Sequence, residues 1–298
     1  MRGWILFNYN DKYVKELYEI ERFIQVAKQR NIDIRIVTPE QFDLVVTHNN
    51  QQSILLEGKR AELPDFFLPR IGATTSYFAL ALIRHMERLG VPTFNSSQSI
   101  DIVRDKLYMN QILAEHNLPV PKTMLVKYLI DGDLVEKELG FPVILKTITG
   151  TLGIGVYLCK TKKHFNELVE FITASAPNAN IIIQEFIKKS VGRDLRVFVV
   201  DGKAVGCMER IAKKGDFKAN FSRGGEVRPY KLTPEIEKLA VTTAQILGLD
   251  ITGIDLLFDG EDFKICEANS APGFEGLEKA CKISIPDQIY DFITKKLA

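Results

Sequence analysis

Several common signals are missing from this sequence, and each absence removes a class of chemistry. Cysteine is scarce: Cys159, Cys207, Cys266 and Cys281 are the only four, and no two stand at CxxC spacing. Neither a zinc site nor a thiol redox motif is therefore indicated. Each cysteine is expected as a small buried hydrophobe rather than a reactive thiol. The four histidines, His48, His85, His116 and His164, are equally scattered, and no HExxH pattern occurs. Neither sign of charge is in excess, since 39 basic residues face 38 acidic ones for a net charge of +1. Composition thus asks for neither a nucleic-acid nor a membrane partner. No apolar run approaches the roughly 20 residues of a membrane-spanning helix. The apolar opening Trp4-Ile5-Leu6-Phe7 is too short for a signal-peptide core and reads as a first strand. A cytoplasmic location is the expectation. No internal repeat, low-complexity tract or long linker divides the chain.

What is present is an alternation of short apolar runs and amphipathic stretches over 298 residues, enough for two or three units of ~100–150 residues each. The strand at Trp4–Phe7 is followed by a helical stripe of Val14, Leu17, Tyr18, Ile24 and Ala27. Strands are expected at Ile34–Val37 and Phe66–Leu68, and a helix from about Thr75 to Leu89, stopped by Gly90. These elements form an α/β unit ending near Asn95. One helix is expected from about Ser99 to Glu115, before Pro119 and Pro121 break the chain. Strand Thr123–Val126, helix Leu134–Leu139 and strand Val143–Lys146 follow. After a glycine-rich stretch come strand Val156–Cys159, a helix from about Lys163 to Thr173, and the β-prone run Asn180–Phe186. The remainder alternates strands and helices to a terminal helix near Asp287–Lys296. The expected units are 1–97, 98–186 and 187–298.

Three clusters carry candidate chemistry. Lys146 ends a strand and precedes Gly150-Thr151-Leu152-Gly153-Ile154-Gly155. Glycines at this density let backbone N–H groups approach an anion, and the lysine adds positive charge, a combination suited to polyphosphate. The same glycines would also serve a plain surface hairpin, and the segment alone does not decide between the two. A dinucleotide fold would need a helix directly after the glycines, whereas Val156-Tyr157-Leu158-Cys159 reads as strand.

The second cluster is sharper. Glu267 and Asn269 lie two apart on a strand-like run and so share a face. Asp255 lies in the facing run Gly253–Phe258, and Asp259-Gly260-Glu261-Asp262 between them is a turn sequence. Folding a hairpin symmetrically about Glu261 brings Asp255 opposite Glu267. Two carboxylates facing each other in a ladder repel, and a divalent cation resolves the conflict. An all-oxygen set of Asp255, Glu267 and Asn269 suits magnesium. In the bland alternative, Asp255 points outward and Glu267 pairs with a lysine. The third cluster is cationic: Arg193, Arg196, Arg210, Lys213, Lys218 and Arg223. Arg196 and Arg210 continue or end apolar strand-like runs and are expected to clamp phosphate or carboxylate. Arg193 reads as solvated surface.

The order Arg104-Asp105-Lys106, Lys146, glycine loop, Gln184-Glu185-Phe186, Asp194-x-Arg196, Asn220, Asp255, Glu267-x-Asn269 resembles the ATP-grasp superfamily. Within it, Leu68-Pro69-Arg70-Ile71-Gly72 and Asn269-Ser270-Ala271-Pro272-Gly273-Phe274-Glu275-Gly276 are similar to the RimK-like glutamate ligases. Leu152 and Lys218 depart from that pattern, where a bacterial relative carries a polar residue and an arginine. The departures leave the nucleotide site intact and the amine-acceptor specificity open.

The resemblance implies an α/β ATP-grasp fold, with an N-terminal pre-ATP-grasp domain and two α+β subdomains enclosing ATP. It implies that Lys106 and Lys146, with Gly150, Gly153 and Gly155, contact the phosphates, and that Glu185 and Phe186 lie on the adenine-binding segment. Asp194 would sit near the nucleotide sugar, and Lys218 and Asn220 would line the phosphate or acyl-phosphate region. Asp255, Glu267 and Asn269 would hold two Mg2+ or Mn2+ ions, with Glu267 bridging. Arg196, Arg210 and Asn220 are the expected catalytic set. The activity implied is ligation of L-glutamate or a similar amino acid to a carboxylate of a protein C-terminus or small acid. It would proceed through an acyl phosphate and give ADP and phosphate, in a homo-oligomer. A ligase of the same fold acting on an aminoadipate carrier or a glutathione-type substrate is an alternative, as is a non-catalytic ATP-binding module. A full set of metal-ligand types argues against the module.

Overall fold

The computed structural model describes residues 1–7, 15–48, 53–72, 75–126, 131–148, 155–176, 178–213, 215–217, 219 and 224–298. The N-terminal part runs β1 (Arg2–Phe7), α1 (Lys15–Gln29), β2 (Asp33–Val37), β3 (Phe42–Leu44), β4 (Ile54–Leu56), β5 (Lys59–Arg60), β6 (Phe66–Arg70) and α2 (Tyr77–Arg88). β1 lies between β2 and β6 and pairs with both in parallel. A parallel sheet needs cover on both faces, and β1 is apolar from Trp4 to Phe7 accordingly. Trp4 and Leu6 pack with Ile83 and Met86 of α2. Ile5 and Phe7 face the opposite way, toward Phe23 and Val26 of α1. The expected α1 stripe is corrected here: Ile24 is 46% exposed, and the buried row runs through Phe23, Val26 and Ala27. Phe23 takes the centre because its ring meets Phe7, Phe274 and Tyr290 in edge-to-face contacts. β3, β4 and β5 form a small antiparallel sheet that the sequence did not announce, its strands being only two or three residues long.

The single helix expected over 99–115 is two, α3 (Ser97–Arg104) and α4 (Lys106–Glu115). Asp105 between them is extended, and its Oδ1 accepts from the N–H of Leu107 at 2.9 Å and of Tyr108 at 3.0 Å. An aspartate in this role starts a new helix rather than continuing the old one. The break places Lys106 at the first position of α4.

The central part comprises β7 (Thr123–Leu125), α5 (Gly132–Glu138), β8 (Val143–Thr147), β9 (Val156–Cys159), α6 (Lys162–Ser175) and β10 (Ile181–Glu185). Its strands form an antiparallel sheet in the order β7-β10-β8-β9. Val143, Leu145, Ile181 and Ile183 pack with Val135 of α5 and Phe165 of α6 in a core of their own.

The C-terminal part comprises β11 (Arg193–Val200), β12 (Lys203–Ile211), β13 (Glu226–Pro229), α7 (Pro234–Ile246), β14 (Ile251–Asp259), β15 (Asp262–Asn269), α8 (Glu275–Cys281) and α9 (Ile285–Leu297). The antiparallel sheet has the order β13-β12-β11-β14-β15. Period-two alternation gives it two distinct faces. Leu195, Val197, Val199, Ile254 and Leu256 pack with α7 and with Met109 and Leu113 of α4. On the other face, Phe198, Val200 and Met208 join Ile5, Phe7 and Phe23 of the N-terminal part, beneath α8 and α9. Asn95, fully buried, stitches the two parts together. Its amide donates to the carbonyls of Ile251 at 2.7 Å and Ser270 at 2.9 Å and accepts from the Ile251 N–H at 2.8 Å.

Candidate active site

The second face of the C-terminal sheet turns from apolar to charged at one end. Moving back along β11 from Phe198, the same row carries Arg196 and Asp194. Arg196 stands opposite Asp255 of β14, and Asp194 opposite Arg210 of β12. Side chains that face each other in the ladder bond each other. Arg196 donates from Nε to Oδ1 of Asp255 at 2.7 Å and from Nη2 to Oδ2 at 2.8 Å. Arg210 grips Asp194 in the same bidentate manner at 2.6 and 2.8 Å, and its Nη2 lies 2.9 Å from Oδ2 of Asp255. Arg196 and Arg210 are thus brought to one place, and Asp194 joins them.

Asp255 and Glu267 do pair across the hairpin, but not by symmetric folding about Glu261. The turn is the two-residue Gly260-Glu261, with Asp259 facing Asp262 and Leu256 facing Ile265. That register, continued, would set Cys266 opposite Asp255 and drive Glu267 into the core alongside Ile265. A β-bulge at this point absorbs Cys266, so that Asp255 faces Glu267 and Gly253 faces Asn269. Bulges re-aim side chains in this way beside functional sites. Ala268 enters the core in consequence.

The repulsion expected between the two carboxylates is met here by cations of the chain. The Asp255 side chain is 6% exposed. Burial alone would raise its carboxyl, but the Arg196 and Arg210 guanidiniums outweigh burial and hold it below the usual carboxylate range. Burial pushes Asp194 up to about 6 against the pull of Arg210. Glu267 lies 3.8 Å from Nζ of Lys106, as the bland alternative for this residue anticipated. From the central sheet Lys146 reaches in, its Nζ 3.9 Å from Sγ of Cys266. Lys106, Arg196 and Arg210 contact the carboxylates of Glu267, Asp255 and Asp194, and Lys146 adds a fourth cation beside Cys266, the neighbour of Glu267. The excess is positive, which favours a polyanion.

The donor set fits a hard divalent cation. Oδ2 of Asp255 accepts from Arg196 and Arg210 and, at 3.5 Å, from Nδ2 of Asn269, whereas Oδ1 accepts only from Nε of Arg196, so a lone pair remains on Oδ1. Glu267 is partly open, with its side chain 30% exposed. The Asn269 amide lies within 3.5 Å of Oδ2 of Asp255. Among the described residues no three His, Cys, Asp or Glu side chains gather round one point, so the candidate set is two carboxylates and an amide.

Glu185 ends β10 and is held in place, its Oε1 accepting from the Lys122 N–H at 2.8 Å and from Nζ of Lys264 on β15. Half-buried Phe186 follows it. Gly155 closes the β8–β9 hairpin at a φ of +72°, and its carbonyl accepts from the Thr147 N–H at 3.0 Å. Gly150, Gly153, Lys218 and Asn220 lie outside the described residues, as do Leu152 and Arg223. Arg193 is not merely solvated surface: its guanidinium stacks 3.7 Å from the Phe258 ring centroid and lies 3.0 Å from buried Glu209. Sequence reasoning passed over Lys264 and Cys266 as site residues. The signal for the second was present, because strict alternation from Phe263 through Ile265 would have buried Glu267. Arg70 joins the segments Leu68–Gly72 and Asn269–Gly276, its Nη2 donating to the Pro272 carbonyl at 2.7 Å.

Comparison with known proteins places this geometry. A model of the RimK-like ATP-grasp domain matches residues 103–293, and one of the RimK pre-ATP-grasp domain matches residues 12–100. A protein of Aliivibrio fischeri named "Probable alpha-L-glutamate ligase" is 36% identical over 95% of this chain and 94% of its own length. One of the same name from Maridesulfovibrio salexigens is 34% identical over 94% of this chain and 93% of its own. Among solved structures, the ATP-grasp ligase PsnB complexed with minimal precursor aligns over 99% of this chain and 98% of its own, at 18% identity and a TM-score of 0.75. D-alanine–D-alanine ligase from Bacillus anthracis complexed with ATP aligns over 100% of this chain and 98% of its own, at 17% identity and a TM-score of 0.73. The fold is the one these ligases share.

Proposed function

The chain belongs to the RimK-like ATP-grasp family and is an ATP-dependent ligase, and from that premise we propose that it joins L-glutamate to a carboxylate through an acyl phosphate, releasing ADP and phosphate. The observation that carries the proposal is the charged end of the C-terminal sheet. There Asp255 and Glu267 face each other, Lys106, Arg196 and Arg210 contact them, and Lys146 reaches Cys266 beside Glu267. L-Glutamate is taken from the curated relatives named for it. The carboxylate acceptor is a protein C-terminus or a small acid.

A carboxylate is a poor acyl donor because oxide is a poor leaving group. Transfer of the γ-phosphoryl group of ATP to it creates a good one, and the amine then displaces phosphate. Such transfer needs positioning and neutralisation of charge more than covalent help. Asp255, Glu267 and Asn269 would hold Mg2+ or Mn2+, and the metal would supply charge neutralisation at the β- and γ-phosphates. Lys106 and Lys146 bind the phosphates, Arg196 and Arg210 orient Asp255, and Glu185 and Phe186 border the adenine. No nucleophilic side chain is required.

The test is product analysis. ATP, Mg2+, L-glutamate and a panel of carboxylate acceptors should give ADP in step with amide. Hydroxylamine in place of the amine should trap a hydroxamate. Stoichiometric AMP would exclude activation at the γ-phosphorus.

A further inference from the structure

β15 is an edge strand of the C-terminal sheet, paired with β14. Alternate N–H groups of such a strand point away from its ladder, and where they are buried they need an acceptor from elsewhere in the chain. Two such acceptors are present. The Pro119 carbonyl accepts from the Ile265 N–H at 2.7 Å, and Sδ of Met109 accepts from the Ala268 N–H at 3.3 Å. These donors stand three residues apart rather than two, because the bulge that absorbs Cys266 shifts the alternation between them. In a regular strand the outward donor after Ile265 would be the N–H of Glu267. The Met109 sulfur is therefore matched to the bulged register and not to the regular one. Met109 and Ala268 are both buried, so water does not substitute for the bond.

We propose that Met109 is a positioning residue: by accepting the Ala268 N–H, it holds β15 in the register that sets Glu267 opposite Asp255, and so keeps the metal-ligand set assembled. Ala268 lies between Glu267 and Asn269, so the bond acts at the centre of that set. Met109 follows Lys106 by three residues on α4, a spacing that shares a helix face. One face of α4 thus meets β15 twice, through Nζ of Lys106 at 3.8 Å from Glu267 and through the sulfur on the next backbone amide. A thioether is a weak acceptor, and leucine would fill much the same volume. What the sulfur adds to packing is a partner for one particular donor.

The inference rests on the metal reading above, and the experiment separates the two. Met109→Leu keeps the volume and removes the acceptor, whereas Met109→Gln supplies another acceptor. Mn2+ binding to the full chain with ADP is titrated by electron paramagnetic resonance, and ADP affinity is measured separately in EDTA. Met109→Leu should weaken Mn2+ binding about fivefold or more, the factor expected for one buried hydrogen bond left unmade, while ADP affinity in EDTA moves less than about twofold. Met109→Gln should return Mn2+ affinity to within about twofold of wild type. In the metal-free protein, Met109→Leu should speed amide exchange at Ala268 about fivefold relative to Ile265, which keeps its bond to Pro119. A wild-type ADP complex that holds no Mn2+ would overturn the metal reading and leave the register to the exchange measurement. Wild-type Mn2+ affinity in Met109→Leu, or equal exchange changes at Ala268 and Ile265, would overturn the role given to Met109. Equal losses of Mn2+ affinity in the two variants would overturn it as well, since they mark a packing effect. Should Met109→Gln fail to fold, Met109→Leu decides alone. Should Met109→Leu fail, a fivefold loss of Mn2+ affinity in Met109→Gln overturns the proposal, and wild-type affinity there supports it.

Discussion

Glu267 and Asp255 are paired in register and assigned the same metal, yet their surroundings differ, and that difference makes a sharp test. Glu267→Gln removes a partly open carboxylate whose cationic neighbour, Lys106, stands 3.8 Å away. A pair of that length and exposure is worth at most about 1 kcal/mol, and relief of the opposition with Asp255 offsets part of it. The variant should melt within about 4 °C of wild type. Asp255→Asn instead strips Arg196 of its charge partner, and Arg210 of one of its two, at a position where the side chain is 6% exposed. Breaking a buried pair costs about 3–5 kcal/mol, which corresponds to a fall of roughly 6–20 °C. Both variants should lose at least ~10²-fold in ADP formation, because each would lose a proposed ligand of the metal that would neutralise the transferring phosphoryl group. Melting by circular dichroism beside a coupled ADP assay reads both quantities. A folded Glu267→Gln enzyme with normal turnover would refute the metal assignment. A Glu267→Gln melting point as low as that of Asp255→Asn would show that Glu267 is structural.

Other outcomes follow from single contacts. Lys146→Ala should lower ATP turnover by ~10²-fold, while Lys162→Ala, at an exposed pair of contacts to Asp133 and Glu136, should leave it unchanged; equal losses would misplace the phosphate site. Gly155→Ala forces an L-residue to a φ of +72° and brings its Cβ to 2.6 Å from Oγ1 of Thr147, so the KM for ATP should rise through a distorted β8–β9 hairpin, and an unaltered KM would detach that hairpin from the nucleotide. Asn95→Ala leaves buried polar groups of Ile251 and Ser270 without partners and should destabilise the chain by ~2–4 kcal/mol, measured by urea denaturation; a neutral result would deny the residue its stitching role.

Much of the site was legible because β structure writes its faces into sequence at period two. Glu267-x-Asn269 and a turn between two apolar runs were enough to put Asp255 and Glu267 together. The reason given for their meeting was incomplete, since no propensity scale marks Cys266 as the residue a bulge absorbs. The break at Asp105 was equally hidden: no glycine or proline marks it, and only the aspartate's capping bonds reveal it. Arg210 on Asp194 and Arg196 on Asp255 depend on the strand order β12-β11-β14, a long-range fact that local spacing does not contain.

The cover on the N-terminal sheet has a consequence for the order of synthesis. Ile5, Phe7 and Phe23 are completed by Ile285, Ile289, Tyr290 and Phe292, and the Tyr290 hydroxyl donates to the Phe23 carbonyl at 3.1 Å. At ~5–20 residues per second, the ribosome delivers α9 roughly 13–50 s after α1. During that interval one face of the first sheet lacks the cover that α9 supplies. The nascent chain therefore carries an incomplete apolar surface until its last helix emerges. Truncation before Ile285 would make that surface permanent, turning a folding delay into an aggregation hazard.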